Sequence, residues 1–406
     1  MEQKMLDRFI GYTKIDTQSD PSSSSIPSTK KQYDMINLLS KQLDALKVEH
    51  FIDDKGFLNA LIKSNSNKEI SKVGFLAHVD TAPDYNGKDV NAQVIENYQG
   101  QDIPFKDGGK LSAKQFPELL DYINQTIITT DGTSLLGGDD KAGVSIIMEM
   151  IEYFVANPEV EHGDIYIAFT IDEEIGTGVD NFDLSFFKPD FAYTIDGGEI
   201  GEFSYETFNA AGLSLNLKGL NVHPGDAKDK MINAMEAAYY FHSLLPALAK
   251  PEHTEDYEGF IMLMGIDGSV ENTSASYIIR DHSMEKFNAK KELVEKAIKQ
   301  TLNAFPGLEI DYTLKNQYYN MKEKVVEKQE AIDVALAAYK KNDVDANVMP
   351  IRGGTDGSKL SFREVPCPNI FTGGHNFHGK NEFTCLDSMV KAKDIIIDIV
   401  KLLAQD

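Results

Sequence analysis

The chain has 406 residues, which is long for a single hydrophobic core and fits one large domain with a smaller second one. Its content of 42% hydrophobic and 26% charged residues is typical of globular proteins, and the formal net charge of −24 argues against nucleic acid or an anionic membrane as a partner. The two cysteines, Cys367 and Cys385, imply no disulfide framework. Because the amino-terminal amphipathic pattern lacks an apolar signal core and no stretch reaches roughly 18 apolar residues, we expect a cytoplasmic protein.

The first half of the chain reads as an α/β domain. After an amino-terminal helix, a serine-rich stretch at 19–29 predicts a surface loop that could border an active site. Between about 130 and 200 the pattern alternates between strand and helix, with a helix from Ala142 to about Ala156 and strands at 164–171 and 191–195. This alternation predicts a mixed, mostly parallel sheet flanked by helices.

The pattern changes near Asn209, where a smaller α+β domain is predicted. Its predicted elements are a strand with alternating leucines at 213–217, a helix from about Asp229 to Leu248, strands at 260–270 and 274–281, a helix from about Glu285 to Ala304 and a strand at 308–314. The order βαββαβ matches a ferredoxin-like unit. Since helix and strand alternate again after about Asn320, we predict a large domain of residues 1–208 and 320–406, with residues 209–319 inserted.

Five segments combine a buried-strand pattern with side chains that bind metals. They are GFLAHVD (74–80), LLGGDDKAG (135–143), AFTIDEE (168–174), YTIDGG (193–198) and FTGGHNFHG (371–379). Each alone is better explained as a helix cap, a polar strand end or a solvated turn. Ligands spread over three hundred residues converge if the strands share one sheet, because the carboxyl ends of parallel strands meet at one edge. The five together therefore predict a metal centre.

In two pairs of residues in these segments, one residue can bind a metal while the other orients a ligand or acts as a base. His78 and Asp80 lie two apart at a strand end, so that the Asp80 carboxylate can orient a ligating imidazole without itself being a ligand. Glu173 and Glu174 are adjacent, so their side chains point in different directions. One can bind a metal while the other acts as a general base.

The other candidate ligands lie next to glycines. Asp139 and Asp140 lie between a glycine turn and a predicted helix start, and we choose Asp139 as a carboxylate that bridges two ions. Asp196 precedes two glycines, and His375 and His378 compete in one glycine-rich loop, where spacing does not decide between them. Three carboxylates and two imidazoles suit two Zn²⁺ ions about 3.5–4 Å apart, although Mn²⁺ or Co²⁺ could use the same ligands.

The motifs resemble those of the co-catalytic zinc peptidases, the family of carboxypeptidase G2-like and dipeptidase V-like enzymes, and most closely its tripeptide aminopeptidases. The resemblance spans essentially the whole chain and is carried by GFLAHVDTAPD, IITTDG, LLGGDDKAG, GDIYIAFTIDEEIG, YTIDGG, NVHPG, YEGF, YIIRD, YYNMKEKVVE, IRGGTDG and PCPNIFTGGHNFHGKNEF. It implies that His78, Asp139 and Asp196 hold one zinc and that Asp139, Glu174 and His378 hold the other. A cis peptide bond after the bridging aspartate is implied as well.

The resemblance also implies roles around the metals. Asp80 would orient His78, Glu173 would be the general base, His223 would polarise the scissile carbonyl and Arg280 would bind the peptide carboxylate. Arg352, in a glycine-rich turn, is a further candidate for binding a carboxylate or an oxyanion. Without the family, His223 and Arg280 read as a turn residue and a surface ion pair.

The activity implied is release of the amino-terminal residue from tripeptides that have a free amino terminus, by a homodimer that associates through the inserted lid domain. An acyl-amino-acid deacylase or a carboxypeptidase could use the same two zinc ions, since a fold does not define its substrate. A non-catalytic zinc-binding or peptide-binding module is the alternative from another class. Glu173 argues against that module, because metal binding alone needs no free base beside the ions.

Overall fold

A computed structural model gives the fold of residues 2–405. The chain divides into two units: the second comprises Glu206–Asn320 and Pro350–Gly354, and the first comprises the rest of the described chain. Across residues 2–405, every helix is too short or too polar to cross a bilayer. The helices are α1 (Glu2–Thr13), α2 (Gln32–Leu46), α3 (Gly138–Ala156), α4 (Ala234–Ser243), α5 (Met284–Ala304), α6 (Lys322–Val325), α7 (Gln329–Lys341), α8 (Asp356–Ser361) and α9 (Leu386–Leu403).

The strands complete the two units, together with short 3₁₀ turns at Pro117–Tyr122, Gly178–Asn181, Pro224–Asp226, Pro251–His253 and Val326–Lys328. The strands are β1 (Glu49–Ile52), β2 (Leu58–Ile62), β3 (Val73–His78), β4 (Ala92–Ile95), β5 (Ile103–Pro104), β6 (Lys110–Leu111), β7 (Ile127–Thr130), β8 (Ile165–Thr170), β9 (Phe191–Gly197), β10 (Glu202–Ser204), β11 (Asn209–Lys218), β12 (Phe260–Gly268), β13 (Asn272–Asp281), β14 (Glu309–Tyr318), β15 (Asn347–Val348), β16 (Asn369–Phe371), β17 (Gly374–His375) and β18 (Phe383–Cys385).

The first unit is built on one large mixed sheet with the strand order β1-β2-β8-β3-β9-β16-β10-β15. The central strands β8, β3, β9 and β16 run parallel to one another. The pairs β1–β2, β2–β8 and β10–β16 are antiparallel, and the edge strand β15 is parallel to β10. Both β3 and β8 are buried along their whole length, as expected for strands covered on both faces. This mixed, mostly parallel sheet with helices confirms the predicted fold class.

One of the five predicted strand ends is wrong. The segment 135–143 does not follow a strand of the large sheet, because the preceding strand, β7, belongs to a separate sheet with the order β17-β18-β7-β4. Residues 131–137 form a loop, Gly137 takes a positive φ of 77°, and the chain enters α3 at Gly138. Asp139 and Asp140 therefore reach the edge of the large sheet from the start of a helix.

The second unit has the element order β11-α4-β12-β13-α5-β14 and an antiparallel sheet in the order β12-β13-β11-β14, which is the ferredoxin-like arrangement. The alternating leucines of β11 pack in its core with residues of α4 and α5. Helix α4 is shorter than predicted at both ends. Ile232 pairs with Leu220 in an isolated bridge, and the Asn233 side chain accepts the N–H groups of Met235 and Glu236, so the helix cannot begin earlier.

The two ends of the second unit's long segment are hydrogen-bonded to each other. The backbone N–H of Thr207 donates to Asn320 Oδ1 at 3.1 Å, and Asn320 Nδ2 donates to Glu206 Oε1 at 3.1 Å. Entry and exit of this segment therefore lie side by side.

Helix α3 packs very closely on β9 at Gly143. A Cβ atom at this position would lie 1.9 Å from the backbone oxygen of Ile195 and 2.4 Å from Asp140 Oδ1. Only glycine permits the start of α3 to approach the end of β9 in this way. The sequence requirement at Gly143 thus brings the aspartates of α3 next to Asp196 of β9.

We predict that Gly143→Ala destabilises the protein by about 1–3 kcal/mol or more, because overpacking forces the backbone apart. Gly11→Ala is the matched control, since nothing lies within 4 Å of a Cβ at this exposed position of α1. There alanine should be neutral or should stabilise by about 0.5–1 kcal/mol. Thermal unfolding followed by circular dichroism compares the two variants, and equal melting temperatures would contradict the prediction.

Candidate metal centre

Three of the predicted groups lie at adjacent strand ends of the large sheet. His78 ends β3, Glu173 and Glu174 follow β8, and Asp196 is the next-to-last residue of β9. Because β3 lies between β8 and β9 and is parallel to both, their carboxyl ends come together. The start of α3 and the loop after β17 add Asp139 and His378.

The Asp139 carboxylate lies at the middle of this cluster. Its Oδ1 atom is 2.9 Å from His78 Nε2, and its Oδ2 atom is 3.3 Å from His378 Nε2. On the first side, His78 Nε2 also lies 3.6 Å from Asp196 Oδ1; on the second, His378 Nε2 lies 3.0 Å from Glu174 Oε2. The cluster thus has two halves that share one carboxylate.

Asp140 is an alternative to Asp139 as the carboxylate ligand in the first half of the cluster. One ligand atom each of His78, Asp140 and Asp196 lie within 4.8 Å of one another. Both Asp140 oxygens, however, accept backbone N–H groups, Oδ1 from Gly143 at 3.0 Å and Oδ2 from His78 at 3.3 Å. Each Asp139 oxygen instead faces an imidazole. The hydrogen bonds therefore favour Asp139 as the shared group, and the bond between Asp139 and Asp140 is cis, as the resemblance implies.

Asp80 contacts both neighbouring strand ends. Its carboxylate accepts the backbone N–H groups of Glu173 at 3.1 Å and Glu174 at 3.2 Å, and it lies 3.4 Å from His78 Nδ1. The closer partner of His78 Nδ1 is the backbone oxygen of Asp80, at 3.0 Å. Asp80 thus holds the turn that carries both glutamates, a contact that spacing along the sequence did not indicate.

The two histidines of the glycine-rich loop are clearly separated by their surroundings. His375 Nε2 is 2.6 Å from the Tyr122 hydroxyl, and its ring stacks on Phe383 at 4.7 Å. His378 faces the acidic cluster, and its Nδ1 lies 3.6 Å from Asp84 Oδ2. Of the two, only His378 is close to the candidate ligands. Asp84, six residues after His78, ends the motif GFLAHVDTAPD but was assigned no role from the sequence.

Burial and neighbouring charges shift the pKa values of the side chains at this centre. Burial, and then repulsion from Asp139, raises the pKa of Glu174 to about 8 and that of Asp196 to about 7. Burial raises the pKa of Glu173 well above its usual value. Hydrogen bonding to Asp139 and Glu174 raises the pKa of His378 to about 11. The groups therefore favour added positive charge at their centre.

The residues fit divalent cations. Since a backbone carbonyl only accepts, His78 Nδ1 donates to the Asp80 oxygen, and Nε2 is the nitrogen that faces the Asp139 carboxylate. Against the effect of burial, hydrogen bonding to Asp139 raises the pKa of His78 well above its usual value, so a proton at Nε2 satisfies the carboxylate, and a divalent cation can replace that proton. Glu174 Oε1 is also buried without a hydrogen-bond partner among the described residues. Ligands about 2.0–2.1 Å from a tetrahedral zinc are about 3.3–3.4 Å apart, which lies within the observed 2.9–3.6 Å.

The serine-rich loop is tied to the turn that carries the glutamates. Asp172, which has a positive φ of 54°, accepts hydrogen bonds from the Ser28 backbone N–H and hydroxyl and from Gln32 Nε2. A cavity of about 270 Å³ is lined by residues of both segments, among them Ser24, Ile26 and Thr177. The loop does border this turn, and Asp172 was missed because the sequence pattern drew attention to the two glutamates that follow it.

The three candidate substrate residues belong to the second unit. His223 is exposed in a turn, where its Nδ1 accepts the Gly225 N–H. The Arg280 guanidinium donates to the backbone oxygens of Ala211 and Ile279, and that of Arg352 donates to residues 254, 256 and 258. Both arginines therefore have partners within their own unit.

Comparison with known proteins gives one consistent family. The model of peptidase family M20/M25/M40 matches residues 137–402. The chain is 50% identical over 405 residues to peptidase T of Bacillus licheniformis, which covers 99% of each chain. It is also 50% identical to peptidase T of Alkaliphilus oremlandii, which covers 98% of this chain and 99% of the relative.

Solved structures share the fold over the full length at low sequence identity. An aminopeptidase PepT from Bacillus cereus has a TM-score of 0.78 at 19% identity and covers 100% of this chain and 99% of its own. A tripeptidase from Staphylococcus aureus has a TM-score of 0.80 with the same identity and coverage. A dinuclear metal-binding peptidase of the M20 family from Bacillus subtilis has a TM-score of 0.66 at 10% identity and covers 100% and 98%. The chain belongs to peptidase family M20/M25/M40.

Proposed function

We propose that this enzyme is a tripeptide aminopeptidase that hydrolyses the amino-terminal peptide bond of tripeptides with the help of two metal ions. The observation that carries the metal chemistry is the Asp139 carboxylate, whose two oxygens face His78 and His378 separately. The full-length identity of 50% to enzymes named peptidase T supports tripeptides as the substrate class. Membership of the M20/M25/M40 family supports peptide-bond hydrolysis.

We assign the ligands in two sets that share Asp139, one completed by His78 and Asp196 and the other by Glu174 and His378. We propose zinc as the metal, since carboxylate and imidazole donors suit it, and Mn²⁺ or Co²⁺ as substitutes. Two such ions would lower the pKa of an attacking water and polarise the scissile carbonyl.

Glu173 is the proposed general base. It is held beside Glu174 by the Asp80 carboxylate, which accepts the backbone N–H groups of both residues. Adjacent side chains leave a turn in different directions, so Glu173 is free to take a proton from water and to return it to the leaving amine while Glu174 binds. Asp80 contributes by holding this turn and the His78 ring.

The remaining assignments rest mainly on the resemblance. We propose that His223 polarises the substrate carbonyl and that Arg280, with Arg352 as a further candidate, binds a carboxylate or an oxyanion of the substrate. We also propose a homodimer that forms through the second unit acting as a lid. The cytoplasm is the proposed location, which the two buried, unpaired thiols of Cys367 and Cys385 support.

Hydrolysis of a tripeptide, of the matching dipeptide and of the amino-acetylated tripeptide by the zinc-loaded protein tests the substrate class. We expect release of the amino-terminal residue from the free tripeptide alone, with products identified by mass spectrometry. Cleavage of only the acetylated compound would indicate a deacylase or a carboxypeptidase. If all three remain intact while zinc is bound, the protein is a binding module and the proposal is wrong.

Two neighbouring variants test the division of roles between the glutamates. Glu173→Ala should lower kcat by about 10²–10⁴-fold, because the general base is lost, while the zinc content stays at about two per chain. Glu174→Ala should instead lower the zinc content. Metal analysis by mass spectrometry, together with steady-state kinetics, measures both effects, and loss of zinc from Glu173→Ala would show that the two roles are exchanged.

The two loop histidines provide a matched pair for the second metal. His378→Ala should reduce the zinc content from about two to about one per chain, because one imidazole ligand is removed. His375→Ala should retain both ions and lower only the melting temperature, since it removes the contacts to Tyr122 and Phe383. A full zinc content in His378→Ala would refute the assignment of this ligand.

A further inference from the structure

Glu382 is a buried carboxylate that lies within the motif PCPNIFTGGHNFHGKNEF and was assigned no role there. Glu382 is 1% exposed and directly precedes β18. Oε2 accepts the backbone N–H groups of Leu136 at 2.8 Å and Gly137 at 3.0 Å. Oε1 accepts those of Gly138 at 2.6 Å and Asp139 at 3.2 Å. One side chain therefore binds four consecutive backbone N–H groups.

These N–H groups belong to the turn that enters α3. The first N–H groups of a helix have no partner within it, and a side chain just before the helix usually binds one or two of them. Here Gly137 provides no side-chain cap, and the acceptor comes from a residue 243 positions away from Asp139. The direction of the peptide plane before Asp139 therefore depends on Glu382.

The backbone of Glu382 also contacts the loop that carries His378 and the neighbouring strand β7. Its backbone N–H donates to Gly379 O at 3.2 Å, and its backbone oxygen accepts the Thr129 hydroxyl at 2.7 Å. The same residue thus connects the loop of one proposed ligand, His378, to the turn of another, Asp139. The separation of these two groups depends on this connection.

The Glu382 carboxylate supports the backbone of the proposed ligands and is not available to bind a metal itself. A carboxylate has about four lone-pair positions, and each of the four is used by a backbone N–H. Each hydrogen bond to a charged group contributes about 1.5–3 kcal/mol to stability. Binding a metal through Glu382 would therefore lose at least one such bond.

We propose that Glu382 is a positioning residue for the metal centre, which aims the Asp139 carboxylate and sets its distance from His378. The inference rests on the proposed roles of Asp139 and His378 as ligands. Supporting groups of this kind typically change metal affinity by about 10–100-fold when they are removed.

Glu382→Gln is the decisive variant, because it keeps the size of the side chain but points an amide NH₂ at two of the N–H donors. We expect the affinity for one of the two Zn²⁺ ions, measured by competition with a chelator, to fall by about 10–100-fold. The absorption spectrum of the Co²⁺-loaded protein should change as well. Glu382→Asp keeps the charge and should recover part of the affinity.

Asp53→Asn is the matched control. Asp53 Oδ1 also accepts several backbone N–H groups, those of Lys55, Gly56 and Phe57 in the turn between β1 and β2, but Asp53 supports no proposed ligand. This variant should lower the melting temperature and leave zinc affinity unchanged. If Glu382→Gln behaves in the same way, Glu382 is only a stabilising cap and the proposal is overturned.

Hydrogen exchange of the wild-type protein decides the question if both Glu382 variants fail to fold. The amides of residues 136–139 should already be protected in the metal-free protein, because Glu382 holds them before any ion binds. Protection that develops only after zinc is added would overturn the proposal. A wild type that binds two ions without cleaving tripeptides would contradict the proposed function alone, whereas a wild type that binds fewer than two would remove the ligand assignment and this inference together.

Discussion

The surrounding structure has to hold several buried acidic side chains close together although they repel one another. Burial, and then repulsion from Asp139, raises the pKa values of Glu174 and Asp196, so both carboxylates resist being charged beside Asp139. Left to themselves, such side chains would turn apart or take up protons. The structure keeps them together by holding the backbone on which they stand, so that the side chains have few other directions in which to point.

The groups that hold the backbone are themselves carboxylates, and each accepts backbone N–H groups of a turn that carries proposed metal ligands. Asp80 accepts from the turn that carries Glu173 and Glu174, and Glu382 accepts from the turn that leads to Asp139. The N–H donors replace part of the water that such a carboxylate loses on burial, while burial still raises the pKa of Glu382 to about 7. The centre therefore contains two kinds of acid: those bound to the backbone, and those that face the imidazoles.

The sequence was informative where chemistry and strand pattern coincide along the chain. His78, the Glu173 and Glu174 pair and Asp196 each follow an apolar run, and parallel pairing of those runs brings their ends together. The family-based choice of His378 over His375 agrees with the position of the two rings, but local spacing could not make it, since both lie in the same loop. His375 is instead hydrogen-bonded to the hydroxyl of Tyr122, a residue that is remote in sequence.

Long-range backbone contacts were beyond sequence reasoning for the same reason. Nothing near Glu382 marks it as the partner of residues 136–139, since their relation exists only after the second sheet of the first unit has formed. The start of α4 was misjudged because the bridge between Leu220 and Ile232 overrides a helical pattern. Likewise, β7 was not recognised as part of a sheet distinct from the one that carries His78.

The hydrogen-bonded ends of the second unit have an evolutionary consequence. Thr207 and Glu206 at its entry contact Asn320 at its exit, so the long segment between them leaves and rejoins the first unit's chain at neighbouring points. Such a segment can diverge, lengthen or be exchanged as a cassette with little effect on the spacing of His78, Asp139 and Asp196. Selection can therefore alter this part of the molecule while the proposed metal ligands stay in place.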